Sequence, residues 1–352
     1  MHKWIMKLAG IRQHPEKGDA REEVGTRETA RQIQPWHPPV LIIAAALAWP
    51  AAASPVQAAP PGRADVPITV PNKPGAGVWA LSVTAPTGQK NILMASMHVA
   101  DRHLRQPDRR VIRQARVVVY EHPGFGDGTV PATPWRNALA PADIEALREH
   151  FTCKLPYRDD KLVDNVIRWH LAQPTPVAAE QLAADGCDSV GYESRDTIIQ
   201  LAQQRYGITP KYLETDKEVV AQEKRVPWDT SGRGIHFALS NDAAILRADV
   251  VDALNDGDYA KVDRTVRNSL AATGMDYATF YNPMVRERNA AWMQTLPPLL
   301  DTGGAFVLVG AEHLPGRDGL IRLLRQRGYI VQPVQLPSGA GTTAEAYGPD
   351  PD

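Results

Sequence analysis

The sequence predicts an α/β protein with a mixed central sheet built from strands at both ends of the chain and a large helical middle insertion. Three observations carry this. Apolar, β-branched runs occur early, at 78–83, 91–96 and 117–119, and return late, at 305–309 and 329–334. Between them the apolar positions follow helical spacing. The 352 residues, 43% hydrophobic and 22% charged, suffice for a sizeable core.

Taken in order, 78–83 and 91–96 read as two strands joined by a turn at Pro86 and Gly88, a hairpin pattern. A helix is expected over 108–115. Val117, Val118 and Val119 form a buried-strand signal that ends in Glu121 and His122. Residues 123–141 read as a loop. Helices are expected over 142–150, 161–171, 178–184 and 196–206, the last stopped by Gly207. A short strand over 211–213 ends in another acid, Glu214. Long helices follow over 232–255, 259–272 and 283–296. The strand 305–309, a polar turn, a helix over 320–327 and a closing strand complete the fold. Residues 75–336 are expected to form one domain, with a loose, glycine- and proline-rich tail over 337–352.

The front of the chain reads differently. Residues 1–58 look like a leader with an apolar run from Val40 that is too short for a bilayer crossing of roughly 20 residues. Val56-Gln57-Ala58 resembles a small-residue cleavage site, so export to the periplasm or beyond is expected, with membrane anchoring as the alternative. Residues 59–74 read as a flexible lead-in. In an oxidising compartment Cys153 and Cys187 are able to pair; two unrelated thiols are the other reading. A net charge of −1 carries no basic excess and argues against nucleic acid as a partner.

Two strand ends resemble one another. One runs through Ala95-Ser96-Met97-His98, the other through Gly310-Ala311-Glu312-His313. Each places a tiny residue three positions before a histidine, which suggests a tight backbone path that turns the imidazole back over the sheet edge. With Glu121 and Glu214 also at strand ends, the set is two imidazoles and two carboxylates. Such donors suit a divalent metal and an activated water. No phosphate-binding glycine loop, nucleophile elbow or HExxH signature is present.

These blocks resemble the TraB/GumN family, related to the Tiki-type metalloproteases and more distantly to the erythromycin esterase and ChaN-like group. The matching stretches are 92–101, Val117 to Glu121, Gly191-Tyr192-Glu193 with the helix after it, and Tyr212-Leu213-Glu214-Thr215. Arg288-Asn289 with Trp292, and the block from Val309 to Leu320, complete the set. The sequence departs from the family pattern at Ala95, Ser96, His122 and Glu193, where glycine, threonine and two aspartates are usual.

The resemblance implies one α/β domain with a helical insertion and metal-dependent hydrolysis of the Tiki type. It implies His98, Glu121 and His313 as ligands of a divalent ion, manganese or cobalt before zinc. Glu214 is then a further ligand or general base, Arg288 steadies an oxyanion or substrate carboxylate, and Asn289 orients a neighbour. Trp292 is expected in the core. The substrate is a peptide or small molecule of unidentified structure. The competing classes are a non-catalytic binding or assembly factor with envelope protein partners, and a metal- or haem-iron-handling protein.

Overall fold

A computed structural model describes residues 77–124, 133–153, 159–175, 177, 179 and 187–350. The leader, its cleavage site, the lead-in and most of the helix expected over 178–184 lie outside the described residues.

The strands are β1 (Gly77–Thr84), β2 (Lys90–Ser96), β3 (Gln106–Pro107), β4 (Val117–Tyr120), β5 (Thr133–Pro134), β6 (Ala172–Gln173), β7 (Thr209–Tyr212), β8 (Ala305–Gly310) and β9 (Ile330–Gly339). The helices are α1 (Pro141–Thr152), α2 (Asp160–His170), α3 (Arg195–Arg205), α4 (Asp216–Glu223), α5 (Trp228–Ala238), α6 (Asn241–Asp256), α7 (Tyr259–Ala272), α8 (Tyr277–Tyr281), α9 (Glu287–Thr302), α10 (Leu320–Gln326) and α11 (Thr343–Tyr347).

The fold is mixed α/β, as the sequence predicts. Seven strands form one sheet in the order β3-β9-β1-β2-β8-β4-β7. β1 is antiparallel to both β2 and β9, whereas β2, β8, β4 and β7 form a parallel group. Pleating sends alternate residues to opposite faces. Val117 and Val119 therefore pack with Trp292, Leu296 and Leu300 on one face. Val118, Phe306 and Leu308 pack with Ile112 and Ile199 on the other. Both faces are covered, which is why the parallel strands read as unbroken apolar runs.

The helical middle is interrupted by one short strand, where the sequence places one over 211–213. β7 returns from it to the sheet edge, so the sheet is not made of terminal strands alone. Before β7, the helices α1 and α2 build a small satellite core around Leu147, Phe151 and Ile167, joined by Ile235 from α5. After it, α6, α7 and α9 supply Leu254, Val262 and Trp292 to the sheet core.

Cys153 and Cys187 are joined by a disulfide, with Cα atoms 5.7 Å apart and 34 positions between them in sequence. It ties the end of α1 to the short turn Cys187–Ser189. Replacing both cysteines by serine is expected to lower stability by about 2–4 kcal/mol, the range for a cross-link closing a loop of this size. Denaturant melts of the two forms check this.

Several boundaries differ from expectation. The helix over 108–115 is only a 3-10 turn, Arg109–Ile112, capped by the Asp108 side chain. The long helix over 232–255 is two helices, because Ser240 caps the start of α6 by accepting from the Ala243 N–H. The helix over 283–296 extends to Thr302 and opens with a π-helical turn, Asn282–Arg286, just before Arg288. The segment after Pro337 is not loose. β9 continues to Gly339, and α11 follows, held by Arg109. No helix among the described residues is long and apolar enough to cross a membrane.

Candidate active site

Four parallel strands end at one edge of the sheet, the position where open α/β folds place ligands. β2 leads to His98, β8 to His313, β4 to Glu121 and β7 to Glu214. The last two are brought side by side because the Glu214 N–H donates to the Glu121 carbonyl at 2.9 Å, prolonging the β4–β7 pairing.

Arg288 lies fully buried at the centre of these strand ends. Its Nε donates to Glu214 Oε1 and Oε2 at 2.9 and 3.2 Å. Its Nη2 donates to Glu121 Oε2 at 2.7 Å and also to Glu214 Oε1. Nη1 donates to His313 Nε2 at 2.8 Å and to the Met284 carbonyl in the π-helical turn at 3.4 Å. That wide turn leaves the Met284 carbonyl facing the guanidinium, the kind of local distortion often found at functional sites. With its donors so engaged, Arg288 organises the site from beneath and does not reach out towards a substrate.

Asn289 orients His313. Its Oδ1 accepts from His313 Nδ1 at 2.8 Å, and its Nδ2 donates to the His313 and Asp318 carbonyls at 3.0 and 2.8 Å. His313 is therefore the neutral Nδ1–H tautomer, with Nε2 as an acceptor. Burial and the Arg288 charge push its imidazole down to about 3. Trp292 packs against it in the core, with ring centroids 4.3 Å apart.

His98 has the opposite environment. Its Nδ1 faces Asp196 Oδ1 at 3.0 Å, and in the neutral ring that donates there the Nε2 lone pair is free. That Nε2 is buried and has no hydrogen-bond partner, an uncommon condition for a buried polar atom. The side chain keeps 15% of its surface exposed, so solvent reaches the ring. Burial alone would lower the His98 pKa; Asp196, by charge and hydrogen bond, and then Glu121 outweigh it and raise it. Among the described residues His98 is the one non-glycine residue with positive φ, at 64°. Such a conformation is sparsely populated and costs about 1–3 kcal/mol. It is held by the Ser96 hydroxyl, which accepts from the His98 N–H at 3.0 Å and itself donates to Asp196.

Glu121 completes the arrangement. Its Oε1 accepts from the Gly310 N–H at 2.5 Å and lies 3.8 Å from His98 Nε2. Burial would raise this carboxyl, but Arg288, His313, His98 and the Gly310 N–H overcome it and hold the group well below the usual carboxylate range. Glu214, in contrast, is raised by burial against the pull of Arg288.

The glycine of the second strand end is not there for backbone freedom. Gly310 has φ −55° and ψ 140°, which any residue adopts. What matters is the space above it. A Cβ at this position would lie 2.7 Å from His98 Nε2, 3.3 Å from Glu121 Oε1 and 3.4 Å from His313 Cδ2. The three residues read from sequence as metal ligands thus ring one point, a cradle that glycine alone keeps open. Two of them turn a lone pair towards it: His98 through Nε2 and Glu121 through Oε1. The His313 Nε2 lone pair is taken by Arg288. Among the described residues, no three metal-ligating side chains converge as a ready-made cage.

The TraB/PrgY/gumN family model matches residues 79–333, well over half of the chain. The chain belongs to the TraB/PrgY/gumN family. No curated protein and no solved structure matches it significantly.

Within this TraB/PrgY/gumN site, sequence reading misses Asp196. The acid of the Gly191 block reads as Glu193, whose backbone N–H instead donates to the Gly341 carbonyl. The available signal is Ser194, an N-cap followed by acid in the first turn of α3. His122 is buried against Asp216, with Nδ1 2.6 Å from Oδ1, as a second histidine–aspartate pair beside the first. Glu312, beside His313, is half-buried and not merely solvated; burial pushes its carboxyl up to about 7.

Asp196→Asn is expected to weaken any metal held by His98 by about 10–100-fold, the usual effect of removing a carboxylate that orients a ligand histidine. A titration of metal into the variant and the wild type measures this.

Proposed function

We propose that this TraB/PrgY/gumN protein is a divalent-metal-dependent hydrolase, peptidase-like in its chemistry, that attacks a carbonyl with an activated water. The single observation that carries the reading is the cradle over Gly310: a buried, unpartnered imidazole nitrogen and a carboxylate oxygen 3.8 Å apart. That donor set fits a divalent ion, whose bonds to nitrogen and oxygen are close to 2 Å. His98 and Glu121 would hold it, with His313 as the third wall. When bound, such an ion lowers the pKa of water and polarises a carbonyl, with manganese or cobalt favoured and zinc an alternative.

The chain's own residues supply the rest. Asp196 fixes the His98 tautomer so that Nε2 faces the cradle. Arg288 pairs with Glu121 and Glu214 and holds the His313 Nε2 lone pair. Both oxygens of Glu214 accept from Arg288, so we assign the role of taking the water proton to Glu312, whose carboxyl burial pushes up to about 7. The disulfide is compatible with an oxidising compartment, and we read the protein as exported.

The test is a peptide-library cleavage screen on chelator-treated and manganese-restored protein. Cleavage that appears with metal and disappears in His98→Ala supports the hydrolase. Metal binding without turnover of any peptide supports the second class, a binding or assembly factor of the envelope. The cradle favours the first, because a binding factor has no need of a buried imidazole nitrogen left without a partner.

A further inference from the structure

We infer that residues 340–350 form a positioning strap that holds His98 in its reactive geometry from the far side of α3. His98 is aligned by Asp196, and the residue before Asp196 grips the same strand end. Arg195, fully buried, donates from Nη1 to the Ala95 carbonyl at 2.7 Å and from Nη2 to the Arg105 carbonyl at 2.9 Å. Two consecutive residues at the start of α3 therefore clamp the stretch from Ala95 to His98, including its strained backbone.

What fixes the start of α3 is the strap. The lead-in from Gly191 to Glu193 pairs with residues 341–343. Tyr192 bridges Thr342, the Glu193 N–H donates to the Gly341 carbonyl at 3.0 Å, and the Thr343 N–H donates to the Gly191 carbonyl at 2.9 Å. The strap then follows α3 to its other end. There Arg205 and the Tyr206 hydroxyl reach Asp350 at 3.2 and 3.1 Å. Arg109 anchors it from below, with Nη1 donating to the Gly348 carbonyl at 2.8 Å and Nε paired with Asp350 Oδ1 at 2.8 Å. Arg109 is itself buried, so this is a built socket, not a surface contact. The strap also lies beyond the 79–333 span that matches the family.

The chain of contacts is Arg109 to strap, strap to the α3 lead-in, α3 to Asp196, and Asp196 to His98. Residues of the strap act through others and are positioning residues. The inference rests on His98 being the reactive imidazole. It is tested without metal or substrate, so its failure is separate from failure of the hydrolase reading.

The experiment is nitrogen-15 NMR of the histidine rings in the metal-free full chain, with the His98 signal assigned by its loss in His98→Gln. Two variants release the strap: a stop after Ala340, and Arg109→Gln. Leu270→Ala, in a separate apolar cluster, is the control for general destabilisation. In the wild type, His98 is expected to show a protonated Nδ1 whose proton is protected from exchange by Asp196. In both strap variants that proton is expected to lose its protection at least tenfold, with the fold retained and Leu270→Ala unaffected. If the truncated chain fails to fold, Arg109→Gln decides the matter. Unchanged His98 protection in a folded strap variant, or equal loss in Leu270→Ala, overturns the proposal.

Discussion

Gly310→Ala is expected to abolish metal binding and hydrolysis, by at least about 100-fold, while the fold survives at a cost of about 1–3 kcal/mol for the overpacked methyl. The backbone at this position accepts alanine without strain, since φ is −55°. The Gly310 N–H still reaches Glu121. All that changes is one methyl group, placed 2.7 Å from His98 Nε2 and 3.3 Å from Glu121 Oε1. The imidazole has little room to retreat, because Asp196 holds its Nδ1 and Ser96 holds its backbone. The methyl therefore occupies the space an ion and its water would need. Misplacing a catalytic group by about 1 Å is enough for losses of this order. A thermal melt and a metal titration on the same preparation separate the two effects. A variant that still binds metal as tightly as wild type would show that the cradle is not the site.

The second large effect is on stability. Arg288→Met is expected to destabilise the fold by about 3–5 kcal/mol, the usual result of removing one partner from a buried ion pair. The guanidinium is fully buried and serves Glu121, Glu214 and His313 at once. Without it, two carboxylates face each other in a low-dielectric strand-end cluster. One must take up a proton, and His313 Nε2 loses its donor. For a domain of this size the shift in melting temperature is roughly 10 °C. Lysine is expected to rescue only part of the loss, since a point charge cannot make the parallel contacts that the planar fork makes. Denaturant melts of the Met and Lys variants check both statements. Equal stability of wild type and Arg288→Met would mean that the network contributes nothing to the fold.

Much of the site is legible in the sequence because parallel strands announce themselves. Val117 to Val119 and Phe306 to Val309 are continuous apolar runs, and the polar residue that ends each one must emerge at the same sheet edge. His98, Glu121, Glu214 and His313 follow from that rule. Arg288 and Asn289 are on a helix with no strand-end signal, and only the family resemblance picks them out. Asp196 escapes a reading of the sequence because its partner is 98 positions away. No local pattern links a helix start to a strand end at that distance.

The role of Gly310 is likewise invisible in one dimension. A glycine after a strand suggests a turn, whereas here its missing side chain matters for what three other residues place above it. The strap misleads for a compositional reason. Its proline and two glycines look like loose chain, yet Arg109 satisfies its carbonyls from within the domain. β7 reads as no more than a short strand over 211–213 because, with Pro210 and Lys211, it lacks the apolar run of its neighbours. It is an edge strand, and edge strands carry such residues.

Everything proposed for the chemistry depends on a metal ion seated in the cradle over Gly310. Manganese titration of the purified, chelator-treated chain, followed by electron paramagnetic resonance, measures this without any knowledge of the substrate. His98→Ala and Gly310→Ala are titrated alongside. A saturable manganese site is expected in the wild type and is expected to be lost in both variants while each remains folded. No saturable binding in the wild type, or equal binding in all three proteins, would refute the site.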